Sequence, residues 1–181
     1  MEPDQALLEQ ARRYNTDALT EIYDCYNAEI YRYAMRLLGN ADLADECVAE
    51  TFSRFLSAIK NGGGPRQYLR AYLYRTAHNW IADHYRRPGP AQVDLDLNLA
   101  DTTPEPEEAA AHAAERRRVR AALHCLTPEQ QQVIVLRYIE GWSLNEVAQA
   151  LKKPVGAVKA LQHRALNALR RYFVTEGDLI R

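Results

Sequence analysis

At 181 residues and a formal net charge of −1, the chain can form one large or two small domains, each half being long enough to close a three- or four-helix core. Only 8 glycines and an abundance of Ala, Leu, Arg, Glu and Gln point to a mostly helical protein, and no run approaches the roughly 18 apolar residues of a membrane span, so membrane insertion is not expected. The near-neutral total is a cancellation: residues 1–50 carry −7, 51–87 carry +6, 88–114 carry −6, 115–173 carry +7 and the last eight carry −1, so two basic blocks flank an acidic one.

In chain order, apolar periodicity predicts a helix from Pro3 to Arg13. A long second helix follows, capped by Asn15-Thr16-Asp17, running through Leu19, Ile22, Tyr26, Ile30, Tyr33, Ala34 and Leu37, and stopping at Gly39. Asn40 caps a third helix with an inner stripe of Leu43, Cys47, Val48, Thr51, Phe52, Phe55, Leu56 and Ile59. Asn61-Gly62-Gly63-Gly64-Pro65 breaks it, and a fourth helix is expected over Arg66 to Arg86, burying Leu69, Leu73, Ala77, Trp80 and His84 or their neighbours. Residues 88–111, with four prolines and six acids, read as a solvated linker.

Beyond it, a helix from about Ala110 to His124 leads to Thr127-Pro128-Glu129-Gln130, a capping box with proline at the first helical position. Gly141 ends that helix. Ser143-Leu144-Asn145-Glu146 is a second capping box, opening a short helix to Leu151; Lys152-Lys153-Pro154 makes a turn, and a last helix runs from Val155 to about Phe173. The expected fold class is all-α: two small helical domains joined by an acidic, proline-containing linker, the second a four-helix domain. Cys25, Cys47 and Cys125 lack any CxxC or Cys/His ligand spacing and are expected as buried, reduced thiols.

The last two helices have helix-turn-helix spacing. Ala148 is small where the helices cross, Val147 and Leu151 point inward, and Val158, Leu161 and Ala165 form the seam of the second helix. Its outer face keeps Gly156, Lys159, Ala160, His163, Arg164 and Asn167, followed by Arg170 and Arg171, which suits base edges and phosphates in a major groove. In the first half, residues 66–87 interleave Arg66, Arg70, Arg75, Arg86 and Arg87 with Tyr68, Tyr72, Tyr74, Trp80 and Tyr85. Rings that stack bases beside cations that track a backbone suit single-stranded nucleic acid. Trp80 and Tyr72 are expected in the core instead. Asn79 and Asp83 share one face of this helix, and on the preceding helix Asp42, Asp45, Glu46 and Glu50 lie opposite the apolar stripe, a face suited to a basic partner.

These motifs resemble those of the extracytoplasmic-function sigma factors of bacterial RNA polymerase. The stretch Asp42-Leu43-Ala44-Asp45-Glu46-Cys47-Val48-Ala49-Glu50-Thr51-Phe52 is similar to that family's core-binding segment, and residues 72–87 to its promoter-melting helix. Residues 126–143 and 155–165 resemble its upstream-element reader. The resemblance implies that residues 1–87 bind core RNA polymerase and melt the minus-ten element, that 88–111 form a flexible linker, and that 112–175 read the minus-thirty-five element of promoter DNA. It assigns core binding to Asp42, Asp45, Glu46, Glu50 and Phe52. Minus-ten contacts fall to Arg70, Arg75, Asn79, Asp83, Arg86 and Arg87, and helix-turn-helix contacts to Val155, Gly156, Lys159, Ala160, His163 and Arg164. Ala49, Lys152, Ala157, Ala160 and Leu161 depart from the residues commonest in the family.

Such a protein acts in the cytoplasm, and an anti-sigma factor is a further partner to look for. A two-component regulator would need an alternating strand-helix receiver, which the all-helical first half does not offer; a helical adaptor would bind proteins alone. No phosphate loop, metal-ligand cluster or nucleophile elbow occurs, so the reading includes no enzymatic activity, cofactor or metal.

Overall fold

The computed structural model describes residues 3–86 and 107–179; Arg87 and the expected linker up to residue 106 lie outside the described residues. Among the described residues there are helices and no strands. The first domain consists of α1 (Pro3–Arg12), α2 (Thr16–Leu38), α3 (Ala41–Lys60) and α4 (Leu69–Arg86). The second consists of α5 (Glu107–His124), α6 (Pro128–Ile134) continued by a π-helical turn over Val135–Ile139, α7 (Leu144–Leu151) and α8 (Val155–Leu179).

Caps fix most boundaries. The Asn15 and Asn40 side chains each accept a hydrogen bond of 2.9 Å, from the amides of Ala18 and Leu43. Gly39, left-handed at φ 69°, closes α2 by donating its amide to the Met35 carbonyl. Both capping boxes form, and in the second the hydrogen bonds from Ser143 hold the Glu146 carboxyl below its ordinary range.

Three boundaries differ from the sequence expectation. α4 begins at Leu69, not Arg66, because α1 captures the carbonyls a longer helix would have used: Arg12 Nη1 donates to the Gly63 and Pro65 oxygens at 2.6 and 3.1 Å, and Gln5 Nε2 to that of Arg66 at 3.1 Å. Tyr68 then turns the chain through φ 55°, outside helical space. α5 starts earlier than expected, at Glu107. α8 runs on to Leu179, since Gly177 costs only about 1 kcal/mol and no proline interrupts it. The cysteine expectation also needs correcting. Only Cys47 is buried, and burial pushes its thiol up to about 12; Cys25 and Cys125 are free and exposed.

The domains share one continuous core, with α4 packed against α6 and α7. Tyr74, fully buried, meets the Trp142 ring edge-on at 4.9 Å. Its hydroxyl bonds both Glu29 and Glu140 at 3.3 Å, and burial, reinforced by these carboxylates, raises its pKa well above the ordinary phenol value. Arg36 pairs with Glu140, and Arg70 pairs with Glu29 at 3.0 Å while lying 4.8 Å over the Trp142 ring. On the far side Tyr85 packs on His124 at 4.7 Å, and Arg120 donates to the Arg36 carbonyl. A partly exposed pair such as Arg36–Glu140 contributes on the order of 1 kcal/mol, so it orients the domains more than it welds them.

His78 joins the two domains from within. Its Nε2 lies 2.8 Å from the Pro128 carbonyl oxygen, which can only accept, so Nε2 carries the proton and Nδ1 accepts from the Tyr33 hydroxyl at 2.7 Å. Burial lowers the His78 pKa to about 4 from an ordinary 6.5. The unfolded chain therefore binds a proton more readily between those values, and stability falls as pH drops through that window. Between pH 7 and pH 5 this one group should remove about 2 kcal/mol. Denaturant unfolding of the protein and of His78→Gln at both pH values checks this: the variant should be less stable at pH 7 and show a smaller further loss at pH 5.

Candidate nucleic-acid interface

The helix-turn-helix is built by local rules. Lys152 closes α7 in the left-handed region at φ 52°, its amide bonding the Ala148 and Gln149 carbonyls, and the Lys153 amide returns to Ala148 at 3.0 Å. The Pro154 carbonyl accepts from the amides of Ala157 and Val158 at 2.9 and 3.2 Å and so starts α8. Val147, Ala148, Val158, Leu161 and Ala165 are buried, and Leu151 is half-buried at the turn. This orientation leaves Gly156, Lys159, Ala160, His163 and Arg164 exposed, with Val155 half-buried beside them.

A side-chain carbon added at Gly156 would meet nothing within 4 Å, so the leading turn of α8 stands open to a large ligand. Lys159, Arg164, Arg170 and Arg171 carry no ion pair among the described residues. By contrast, Lys153 is paired with Glu129 at 3.0 Å. Unpaired cations on one helix face are suited to a polyanion.

On the first domain, Arg75, Asn79, Asp83 and Arg86 follow one another along the outer side of α4. Asn79 and Arg86 are exposed, Asp83 is half-buried and paired with Arg86, and Arg75 lies 5.4 Å over the Tyr72 ring. Arg70 is apart from this row, turned into the domain interface. Trp80 is buried as expected, whereas Tyr72 is half-buried and His84, expected in the core, is half-buried and stacked on Trp80 at 5.4 Å. A cavity of about 400 Å³ lies between the glycine run and α4, lined by Gly64, Tyr68, Tyr72 and Arg75, with Gln149 and Lys152 of the second domain as its far wall. Tyr68 is 59% exposed, so its ring offers a free face at this cavity.

Along α3, Asp42, Asp45 and Glu46 are exposed, and Glu50 is half-buried and bonded to Arg54 at 2.7 Å. Phe52 is not on this face: it is 6% exposed and packs edge-on against Tyr23 at 4.8 Å. Asp45 instead borders a groove of about 300 Å³ between α2 and α3, lined also by Tyr23, Tyr31, Arg32 and Val48. The groove mixes the Tyr23, Tyr31 and Val48 side chains with the polar groups of Asn27, Arg32 and Asp45.

Comparison with known proteins matches residues 22–89 to the family described as Sigma-70 region 2 and residues 122–171 to Sigma-70, region 4. The ECF RNA polymerase sigma factor SigW of Bacillus subtilis is 31% identical over 176 residues, covering 91% of this chain and 93% of SigW. The chain belongs to the extracytoplasmic-function sigma factors. The sigma factor BldN of Streptomyces coelicolor is 33% identical over 172 residues, which span 91% of this chain and 64% of BldN. Among solved structures, CnrH in complex with the cytosolic domain of CnrY matches with a TM-score of 0.70 and 25% identity over 95% of this chain and 97% of that one.

For this sigma factor, the residues that sequence reasoning missed are at the domain interface, Glu29, Arg36, Glu140 and Trp142, and Tyr74, read there as a base-stacking ring, is buried among them with Trp142. The π-helical turn aims Glu140 and Trp142, because it delays Glu140 and lets the Trp142 amide reach back to the Leu136 carbonyl at 2.9 Å. No local sequence signal announces such a turn. The exposed face of α8 generates a direct prediction. Lys159→Ala and Arg164→Ala should each weaken binding to promoter duplex, a phosphate contact lowering the salt slope by about one and a base contact costing about 1 to 3 kcal/mol at particular positions. Fluorescence anisotropy across a salt series checks both; unchanged affinity in the two variants would remove α8 from the groove.

Proposed function

We infer that this sigma factor binds core RNA polymerase and directs promoter-specific transcription initiation, recognising and melting promoter DNA. The observation that carries the reading is the bare cationic face of α8, on a domain matched to sigma region 4 and preceded by a domain matched to region 2. In this reading residues 1–87 dock the polymerase through Asp42, Asp45, Glu46 and Glu50 beside the α2–α3 groove, with Phe52 shaping that groove from inside. Arg70, Arg75, Asn79, Asp83, Arg86 and Arg87 serve the minus-ten element. Residues 88–111 link this domain to residues 112–175, where Val155, Gly156, Lys159, Ala160, His163 and Arg164 read the minus-thirty-five element.

The aromatic and cationic lining of the 400 Å³ cavity supports strand capture, since stacking a base is worth roughly 1 to 3 kcal/mol and opening a base-pair step costs about 1.4. The reading places the protein in the cytoplasm with its polymerase and assigns it no catalytic role. Among the described residues no helix is long and apolar enough to cross a membrane. CnrH was solved bound to the cytosolic domain of CnrY, and an anti-sigma factor is the regulatory partner proposed for this chain.

In-vitro transcription with purified core polymerase over random promoter fragments tests the whole reading: a common upstream sequence should emerge among the transcribed fragments only when the protein is present. The double variant Asp45→Lys/Glu46→Lys should lose co-purification with core polymerase and all promoter-dependent transcript, with its thermal unfolding little changed because exposed charges affect stability weakly. Normal assembly of that variant would leave the acidic face merely solvated.

A further inference from the structure

We propose that Arg12 and Gln5 of α1 are positioning residues for promoter melting: by holding the carbonyls of the 62–66 loop they set the shape of the cavity that receives an unstacked base. The inference rests on the sigma-factor reading and brings into it a part of the chain that precedes the residues matched to region 2, which begin at residue 22. α1 is itself firmly placed. Leu8 and Ala11 are buried where α1 packs on α2, α3 and α4, and just beyond α1 the Tyr14 hydroxyl donates to the Leu56 carbonyl of α3 at 3.3 Å. From this anchor two side chains reach the loop that follows α3. Arg12 Nη1 donates to the Gly63 and Pro65 oxygens at 2.6 and 3.1 Å, and its Nη2 reaches the Gly62 oxygen at 3.5 Å. Gln5 Nε2 donates to the Arg66 oxygen at 3.1 Å. None of the ion pairs among the described residues involves Arg12, so its guanidinium is given over to these carbonyls.

The loop has little else to fix it. Its first amides still bond back to α3, Gly62 to Ile59 and Gly63 to Ala58, both at 2.9 Å. Over residues 64–67, among the described residues, no backbone group bonds another backbone group, and the hydrogen-bond partners that remain are Arg12 and Gln5. Gly64 is left-handed at φ 78° and Tyr68 at φ 55°, the latter a conformation that a residue with a side chain keeps only where its surroundings impose it. Gly64 and Tyr68 bound the stretch that lines the cavity of about 400 Å³, whose wall Tyr72 and Arg75 continue. Gln67 and Tyr68 also line a second cavity of about 740 Å³ together with Gln5 and Leu8, so α1 borders the Tyr68 ring from the other side. The bonds from Arg12 are largely exposed, and such bonds add little net stability. What they fix is where the loop carbonyls, and with them the Tyr68 ring, stand. A ring held in place beforehand loses no further freedom when a base stacks on it, which favours capture.

The test uses holoenzyme formed from the full chain and core polymerase, on promoters recovered from the random-fragment transcription. Arg12→Ala should lower the permanganate reactivity of unpaired minus-ten thymines by about tenfold, within the range that one stacked base supplies, while closed-complex affinity stays at the wild-type value. Repeating the fragment selection with Arg12→Ala should flatten the base preference at a minus-ten position and leave the upstream preference unchanged. A loss of stability alone lowers all transcripts alike and produces no such change. Because Arg12 acts through the loop, Arg12→Ala should add nothing in a Tyr68→Ala background. Arg12→Lys keeps the charge but offers a point donor in place of a fork, so it should show the same defect in milder form; it replaces Arg12→Ala if that variant loses helical circular dichroism. Gln5→Ala should alter preference at the same minus-ten position. Additive losses in the Arg12→Ala/Tyr68→Ala pair, or an unaltered minus-ten preference in a folded Arg12 variant, would overturn the proposal. Absence of promoter-dependent transcript from the wild-type chain would instead overturn the sigma reading on which it stands.

Discussion

The hydrogen-bonded line from the Tyr33 hydroxyl through the His78 ring to the Pro128 carbonyl sets the terms for the rest of the molecule. It begins in α2, passes through α4 and ends at the first residue of α6, so one imidazole serves both domains. Because the carbonyl has no proton to give, Nε2 must carry a hydrogen, and burial keeps the ring neutral, which leaves Nδ1 to accept from the Tyr33 hydroxyl. The neighbouring contacts then have little freedom. With α6 pinned to α4, the π-helical turn that follows delivers Glu140 to Arg36 and Tyr74, and Trp142 to Arg70.

Charge is divided between two tasks. Arg36 and Arg70 are spent within the fold, each facing a carboxylate, and Tyr74 bridges the two carboxylates with a hydroxyl kept protonated by its surroundings. Lys159, Arg164, Arg170 and Arg171 meet no carboxylate among the described residues and present their charge outward. A cation paired inside the protein has already lost its water and gained a partner, so phosphate offers it little; an unpaired one releases counterions when it meets DNA. The basic blocks that look alike in the sequence are thus unequal in the structure. Residues 51–87 have Arg70 paired with Glu29 and Arg86 with Asp83, whereas the cations on α8 carry no ion pair among the described residues.

Much of the fold was legible because its signals are local. Asn15, Gly39, Asn40, Thr127-Pro128 and Ser143 mark boundaries through hydrogen bonds that close within four residues, and the helix-turn-helix seam repeats at a helical period that no distant contact needs to enforce. The exposed row on α8 followed from that seam by exclusion. Where reading failed, a distant partner had intervened. α4 is shortened by Arg12 and Gln5 reaching from α1, and the two exposed cysteines sit at positions whose neighbours, not whose chemistry, decide burial.

The sequence by itself determined the helical class, the order of the two domains, the turn between α7 and α8, and the cationic face that α8 shows to solvent. Those features depend on propensity, capping and periodicity, which act between residues a few positions apart. Only the tertiary structure decided that Arg70 stands opposite Glu29 and Trp142, that His78 is a buried neutral link, and that Glu140 and Trp142 face α4. Each of these rests on a pair separated by 41 to 104 positions, and periodicity carries no information about which distant group will stand opposite a given side chain.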